Sequence, residues 1–369
     1  GTLTWDAAVM PREVGLALRG GRPFAESRLV PPALATGVID QPGIDQQGVE
    51  AALRLVDDLQ SLLEDWGSNP PTLLRDGGLG VREIRRAAKF LDRPERDAAS
   101  ILELVGVVGL AGVDWEEGLA LPSSAYDRWI EWPTPQRWAW VADRWRGSGY
   151  DLGVAGAISG RDKVIPALLN RSPDPGAAAR RSHYLSLLAD LPDGQGAQAG
   201  SLFARIDWER PGTWSLGPVG TPVLFEWVVY EAEVLGVVAG GGLTSAGRFV
   251  AAGLQEQASK ALAAGMGPEI STVLFQADLT AIAPARLLPS IRTEMELMAN
   301  VESSGVATVY RLSETTLRRA FDAGRSAEEI AEFLRQHAAR GVPQTLEYLV
   351  ADLGRRHGRM MVGPARSVI

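Results

Sequence analysis

The sequence predicts a mainly helical α+β chain in which two segments, each ordered helix, helix, helix, hairpin, precede a smaller α+β domain. Three observations carry this. Apolar residues recur at three and four positions through several stretches before residue 250. Glycine-rich runs close each set of three such stretches, at residues 109–112 and 240–247. After residue 270 the pattern shifts to strand-like alternation interleaved with short helices.

Residues 1–47 read as the end of an upstream element, Leu3 to Leu18, followed by a connector marked by Pro23, Pro31, Pro32, Gly37, Pro42 and Gly43. From Gly48 the apolar positions Val49, Ala52, Leu53, Val56, Leu59, Leu62 and Leu63 define an amphipathic helix to about Trp66. The run from Gly67 to Pro71 stops it. A second helix is expected over residues 81–91, and a third from about Pro94 to Leu110, with Asp92 or Arg93 as its cap. Residues 113–122, turning at Gly118, then form a hairpin. This is the order of a winged helix-turn-helix, so residues 48–128 are expected to be one such unit.

The order recurs within residues 129–253, where helices are expected over 180–191, 197–208 and 223–238 and residues 240–248 form the wing. Trp132, Trp138, Trp140 and Trp145 mark a docking helix between the two units. Residues 254–269 are a small-residue helix or linker. In residues 270–363 the pattern predicts a strand over 272–283, a helix over 291–301, a strand over 307–312 and a helix capped by Ser313. Ser326 with Glu329 then opens a further helix as a capping box, and a last helix spans 344–356.

Composition narrows the function. Of the 369 residues 46% are hydrophobic and 22% charged, which is globular and not disordered. The absence of cysteine excludes disulfides and thiolate metal sites, and three histidines leave little for zinc or iron, so neither metal nor cofactor is expected. No apolar run reaches the roughly 18 to 20 residues that cross a bilayer, and no signal peptide is recognised, so a cytoplasmic protein without membrane contact is expected. The start at Gly1 without an initiator Met, and the end at Ile369, read as an excised piece of a longer protein. The net charge is −8, with acidic excess in Asp40, Asp45, Glu50, Asp57, Asp58, Glu64 and Asp65. A chain of this balance meets a polyanion only through local concentrations of positive charge.

The C-terminal stretch carries six short motifs in order: Gln276-Ala277-Asp278-Leu279-Thr280, Thr308-Val309-Tyr310-Arg311-Leu312-Ser313, Ala323-Gly324, Ala327-Glu328-Glu329-Ile330, Val342-Pro343-Gln344 and Arg356-His357-Gly358-Arg359. Over residues 270–363 the chain thereby resembles the N-terminal domain of XPB-type helicases. The whole layout is similar to actinobacterial helicase-associated proteins, which carry this domain after winged-helix-like segments. The resemblance implies a role in DNA transactions, in repair or transcription, through DNA, single-stranded or forked, or through a helicase or transcription protein as partner. It departs from the helicases in lacking both the Gly-x-x-x-x-Gly-Lys-Ser/Thr loop and the Asp-Glu-x-His box that bind and hydrolyse ATP, so no enzyme activity is expected.

The candidate nucleic-acid contacts are basic. Arg82, Arg85, Arg86 and Lys89 fall at spacings of three and four, opposite Ile84, Ala87, Ala88 and Leu91. Such a stripe tracks phosphates, or else is a solvated face paired with Glu83, Asp92 and Glu95. Arg93 and Arg96 open the third helix, which enters the groove in DNA-binding winged helices, but the rest of that helix is apolar, which weakens base readout. Arg355, Arg356 and Arg359, with Arg318 and Arg319, form a second candidate patch that Glu314, Asp322 and Asp352 are placed to neutralise. Arg137, Arg144 and Arg146 among the tryptophans read either as aromatic platforms for single strands or as packing. No Gly-x-Ser-x-Gly elbow or His-Glu-x-x-His motif is present, and His183, His337 and His357 read as structural. Two functions stand: a non-catalytic DNA-associated accessory protein, or a protein-interaction scaffold that docks a helicase or transcription component.

Overall fold

The computed structural model describes residues 11–18, 20–21, 30–75, 77–159, 163–211, 213–214, 223–303 and 307–357. It is α+β and mainly helical, as the sequence predicts. After α1 (Arg12–Leu18) and β1 (Thr36–Val38) comes the long helix α2 (Gln41–Ser68). Here the expected connector is corrected, because α2 starts seven residues before Gly48. Pro42 lies in its first turn, where a missing N–H costs no hydrogen bond. Gly48 is needed for packing and not as a breaker: a Cβ there would lie 2.9 Å from the carbonyl oxygen of Gly236.

Next come α3 (Val81–Leu91), α4 (Glu95–Val107) and the antiparallel hairpin β2 (Ala111–Asp114) and β3 (Leu119–Pro122), so the expected order of three helices and a hairpin is present. A short α5 (Ser124–Trp129), capped by Ser123, leads to α6 (Thr134–Gly147), the tryptophan helix. The second set follows as α7 (Ala177–Ala189), β4 (Gln195–Ala197), α8 (Ala199–Glu209) and α9 (Val223–Val234), closed by a short hairpin of β5 (Val238–Ala239) and β6 (Gly242–Leu243). Strand β1 pairs with β4, so the N-terminal connector is tied to the second set. Residues 245–248, expected in the wing, are instead the start of α10 (Ser245–Ala251), because the Thr244 side chain accepts from the Gly247 amide and caps a helix.

The stretch expected as a small-residue helix or linker is the helix α11 (Gln255–Gly265), whose Ala258 and Leu262 are buried with the apolar faces of α2, α4, α6, α7 and α9. One core therefore runs through residues 49–262. Trp138 and Trp145 are fully buried in it; the Trp138 indole donates to the Leu235 carbonyl at 2.7 Å and that of Trp145 to Glu231 at 2.8 Å. Glu231 also accepts from the amides of Leu152 and Gly153 and from Arg181 at 3.2 Å, so a buried carboxylate and guanidinium satisfy each other.

A separate core serves the C-terminal part. There β7 (Leu274–Phe275) and β8 (Thr280–Ala283) form a hairpin where one strand is expected, followed by α12 (Pro289–Met298), β9 (Ala299–Ser303) and β10 (Thr308–Leu312). The antiparallel sheet has the order β7-β8-β10-β9. Residues 299–301, expected at the end of a helix, are strand because β9 pairs with β10. Helices α13 (Glu314–Asp322), α14 (Ala327–His337) and α15 (Gln344–Arg356) complete the domain, the first two opened by capping boxes at Ser313 and Ser326.

Candidate nucleic-acid interface

Helix α3 is fixed on one side only. Ile84, Ala87 and Ala88 are buried against α2 and α4, and Asp92 ends the helix in a left-handed conformation with φ of 50°. That anchoring turns Arg82, Arg85, Arg86 and Lys89 away from the core, as their spacing predicts. They are not equivalent. Arg82 and Lys89 are exposed and make no ion pair among the described residues. Arg85, 67% exposed, reaches Glu95 at 3.1 Å, a surface pair of the kind that contributes little and exchanges readily. Arg86 is held by Asp65 at 2.8 Å, by Glu83 at 3.3 Å and by the carbonyl of Asn69.

Arg93 donates from Nε and Nη2 to one oxygen of Asp58, at 3.1 and 2.6 Å. Burial pushes the Asp58 carboxyl up to about 6, against the opposing pull of Arg93. The Arg96 guanidinium sits 4.0 Å above the ring of Tyr230, whose hydroxyl donates to Asp97. Helix α4 cannot serve as a groove-reading helix, because Ala98 to Val105 are buried without interruption. At the tip of the β2–β3 hairpin the side chain of Asp114 accepts from the amides of Glu116 and Glu117, and Trp115 is 61% exposed. The tip is therefore acidic and repels phosphate.

In the C-terminal patch Arg355 and Arg356 both reach Asp352, at 3.4 and 2.8 Å, while Arg359 lies outside the described residues. Arg318 pairs with Glu314. Arg319 donates to the carbonyls of Glu296, Leu297 and Ala299 and so ties α13 to α12 and β9. The histidines have local partners: His183 with Glu209 at 2.6 Å, His337 with the Ser271 carbonyl at 2.7 Å, and His357 stacked on Phe321. Of the tryptophans, Trp138 and Trp145 offer no stacking surface, and Trp140 is covered by Arg144 at 4.2 Å. Sequence reasoning missed Asp58 and Asp65 as the groups that restrain Arg93 and Arg86; both lie on α2, distant in sequence, and nothing in their spacing announces the contact.

Residues 273–369, about a quarter of the chain, match the family model described as helicase conserved C-terminal domain. The region is thus similar to helicase domains and links the chain to helicase-type proteins. No curated protein matches the chain. Among the described residues no helix is long and apolar enough to cross a membrane, and no group of acidic, histidine or cysteine residues is arranged to hold a metal.

Proposed function

We propose that the chain is a non-catalytic accessory protein linked to helicase action, and that it meets DNA through phosphate contacts from α3 without reading base sequence. One observation carries the reading: a chain with a helicase-type match at residues 273–369 presents Arg82, Arg85 and Lys89 on the free side of a helix whose other side is locked in the core. The burial of α4 supports the absence of base readout. The resemblance of the C-terminal domain to the N-terminal domain of XPB-type helicases, and the two helix, helix, helix, hairpin sets read as winged-helix units, support a cytoplasmic role in repair or transcription. Lack of catalysis is inferred from the missing phosphate-cradling loop. The antiparallel sheet of the helicase-type region supports it, since nucleotide-binding α/β folds place phosphates at helix N-termini after strands of a mostly parallel sheet.

A scaffold that docks a helicase or transcription component without touching DNA is the second reading. It is favoured by the carboxylates that hold Arg86 and Arg93 and by the acidic hairpin tip. Titration of the chain against single-stranded, duplex and forked DNA over a salt series separates the two. DNA association predicts dissociation constants of about 10⁻⁶ to 10⁻⁴ M near physiological salt, without sequence preference and weakening steeply as salt rises. No binding even at low salt selects the scaffold.

A further inference from the structure

Away from α3, the second set of elements encloses a cleft of about 400 Å³ between β1, β4, the turn of the β5–β6 hairpin and helices α7, α8 and α9. Much of its wall is main chain, since Gly37, Gly196, Gly240 and Gly241 carry no side chain into it. Leu202 from α8 and Val229 from α9 add an apolar side. A concave, largely apolar site of this size with a few polar groups is the usual form of a small-ligand pocket.

Two polar side chains of the lining have no partner among the described residues. Tyr184, on α7, reaches the cleft from the core. It is 1% exposed and its ring lies edge-on to that of Phe225 at 5.8 Å, yet its hydroxyl makes no hydrogen bond among the described residues. A buried phenol hydroxyl ordinarily finds one. Glu233, on α9, is partly exposed and makes neither an ion pair nor a hydrogen bond among the described residues. Burial holds its carboxyl above the usual range, and no cation opposes this. Burial and then the charge of Glu233 push the Tyr184 hydroxyl up, so the two groups serve the same end of the cleft. Thr36 and Gln198 complete the polar lining; Glu233 is its one charged side chain, and no lysine or arginine belongs to it.

We propose that this cleft binds an alkylammonium group, whose N–H donors meet the Glu233 carboxylate and the Tyr184 hydroxyl oxygen while its aliphatic stem lies against Leu202 and Val229. The carboxylate decides the chemical class. An ionised carboxylate only accepts hydrogen bonds, and it repels an anion. An ammonium brings three donors together with the charge that the lining lacks. A neutral alcohol of the same length fills the apolar side but gains no hydrogen bond between opposite charges. The ammonium belongs either to a small free amine or to the lysine side chain of a protein partner. The site lies apart from α3 and stands or falls separately from the DNA contacts assigned there.

The test is NMR titration of the full chain, labelled at its leucine and valine methyl groups, with n-butylamine, n-butanol and butyrate at neutral pH and matched ionic strength. n-Butylamine should shift the methyl signals of Leu202 and Val229 and bind at least about tenfold tighter than n-butanol, the difference of roughly one hydrogen bond to a charged group. Butyrate should leave both signals in place. Glu233→Gln, at a partly exposed position, should weaken n-butylamine about tenfold and leave n-butanol unchanged, while Tyr184→Phe, which keeps the ring in the core, should weaken the amine about threefold. Each variant should keep the circular dichroism spectrum of the parent. Nα-acetyl-lysine methylamide identifies the source: binding as tight as that of n-butylamine or tighter assigns a partner's lysine, weaker binding a small free amine. Equal binding of n-butylamine and n-butanol by the parent chain overturns the proposal, as does unchanged amine binding in a folded Glu233→Gln variant.

Discussion

Arg93 is available to DNA only to the extent that Asp58 releases it. Asp58 protonates at about 6 in the folded chain, against an ordinary value of 3.8, because burial disfavours its charge more than Arg93 restores it. The folded state then holds the proton more tightly than the unfolded one. Its contribution to stability is fully present below about pH 4 and falls as pH rises through about 6. Two results follow. A carboxyl titration followed by NMR should place Asp58 near 6, and Arg93→Gln should move it higher by removing the nearest positive charge. DNA affinity should rise more on acidification from pH 7 to 5.5 in the parent than in Arg93→Gln; equal pH dependence would refute release of Arg93. The arginine stripe was legible in the sequence because helical spacing alone places its members on one face. Its restraint was not, since Asp58 and Asp65 approach only when α2 packs against α3 and the loop that follows it.

At the scale of the element, α6 shows how a chemical motif and a packing motif share one composition. Its tryptophans and arginines fit a single-strand platform by spacing, yet Trp138 and Trp145 are anchored by indole hydrogen bonds inside the core. The centre of this anchoring is Glu231, fully buried, on α9. Glu231→Ala takes from the buried Arg181 its nearer charge partner, leaving Asp151 at 3.8 Å, and removes the acceptor for Trp145. Urea unfolding should show a loss of about 3 to 5 kcal/mol, the usual cost of breaking a buried pair from one side. A loss below about 1 kcal/mol would mean that water or Asp151 replaces the carboxylate. Helix interiors were readable from periodicity, Ser313 caps its helix as expected, and Ser326 with Glu329 forms the expected capping box; the box that Thr316 completes with Ser313 was not foreseen. The errors fall where non-local partners decide: Pro42 and Gly43 sit inside a helix start, and residues 299–303 follow β10 into a sheet.

At the scale of the molecule, the core shared by residues 49–262 holds α3 in place while the helicase-type domain has a core of its own. A shared core was not readable from two similar runs of elements, which by pattern alone look independent. The purified chain should show no DNA-stimulated ATP hydrolysis, because it lacks the loop and lysine that cradle transferred phosphates; release of phosphate above a no-protein control would overturn this. The central claim is that DNA is met by phosphate contacts from the free face of α3. It is tested most directly by the salt dependence of duplex binding for the parent and for Arg82→Ala, Arg85→Ala and Lys89→Ala combined. The variant keeps the buried face of α3 and the pairs of Arg86 and Arg93, so its fold should be unchanged. The slope of log affinity against log salt should flatten by about 0.9 for each lost contact, close to three units in all, with equal weakening for every DNA sequence. An unchanged slope and affinity in the folded variant would contradict the account.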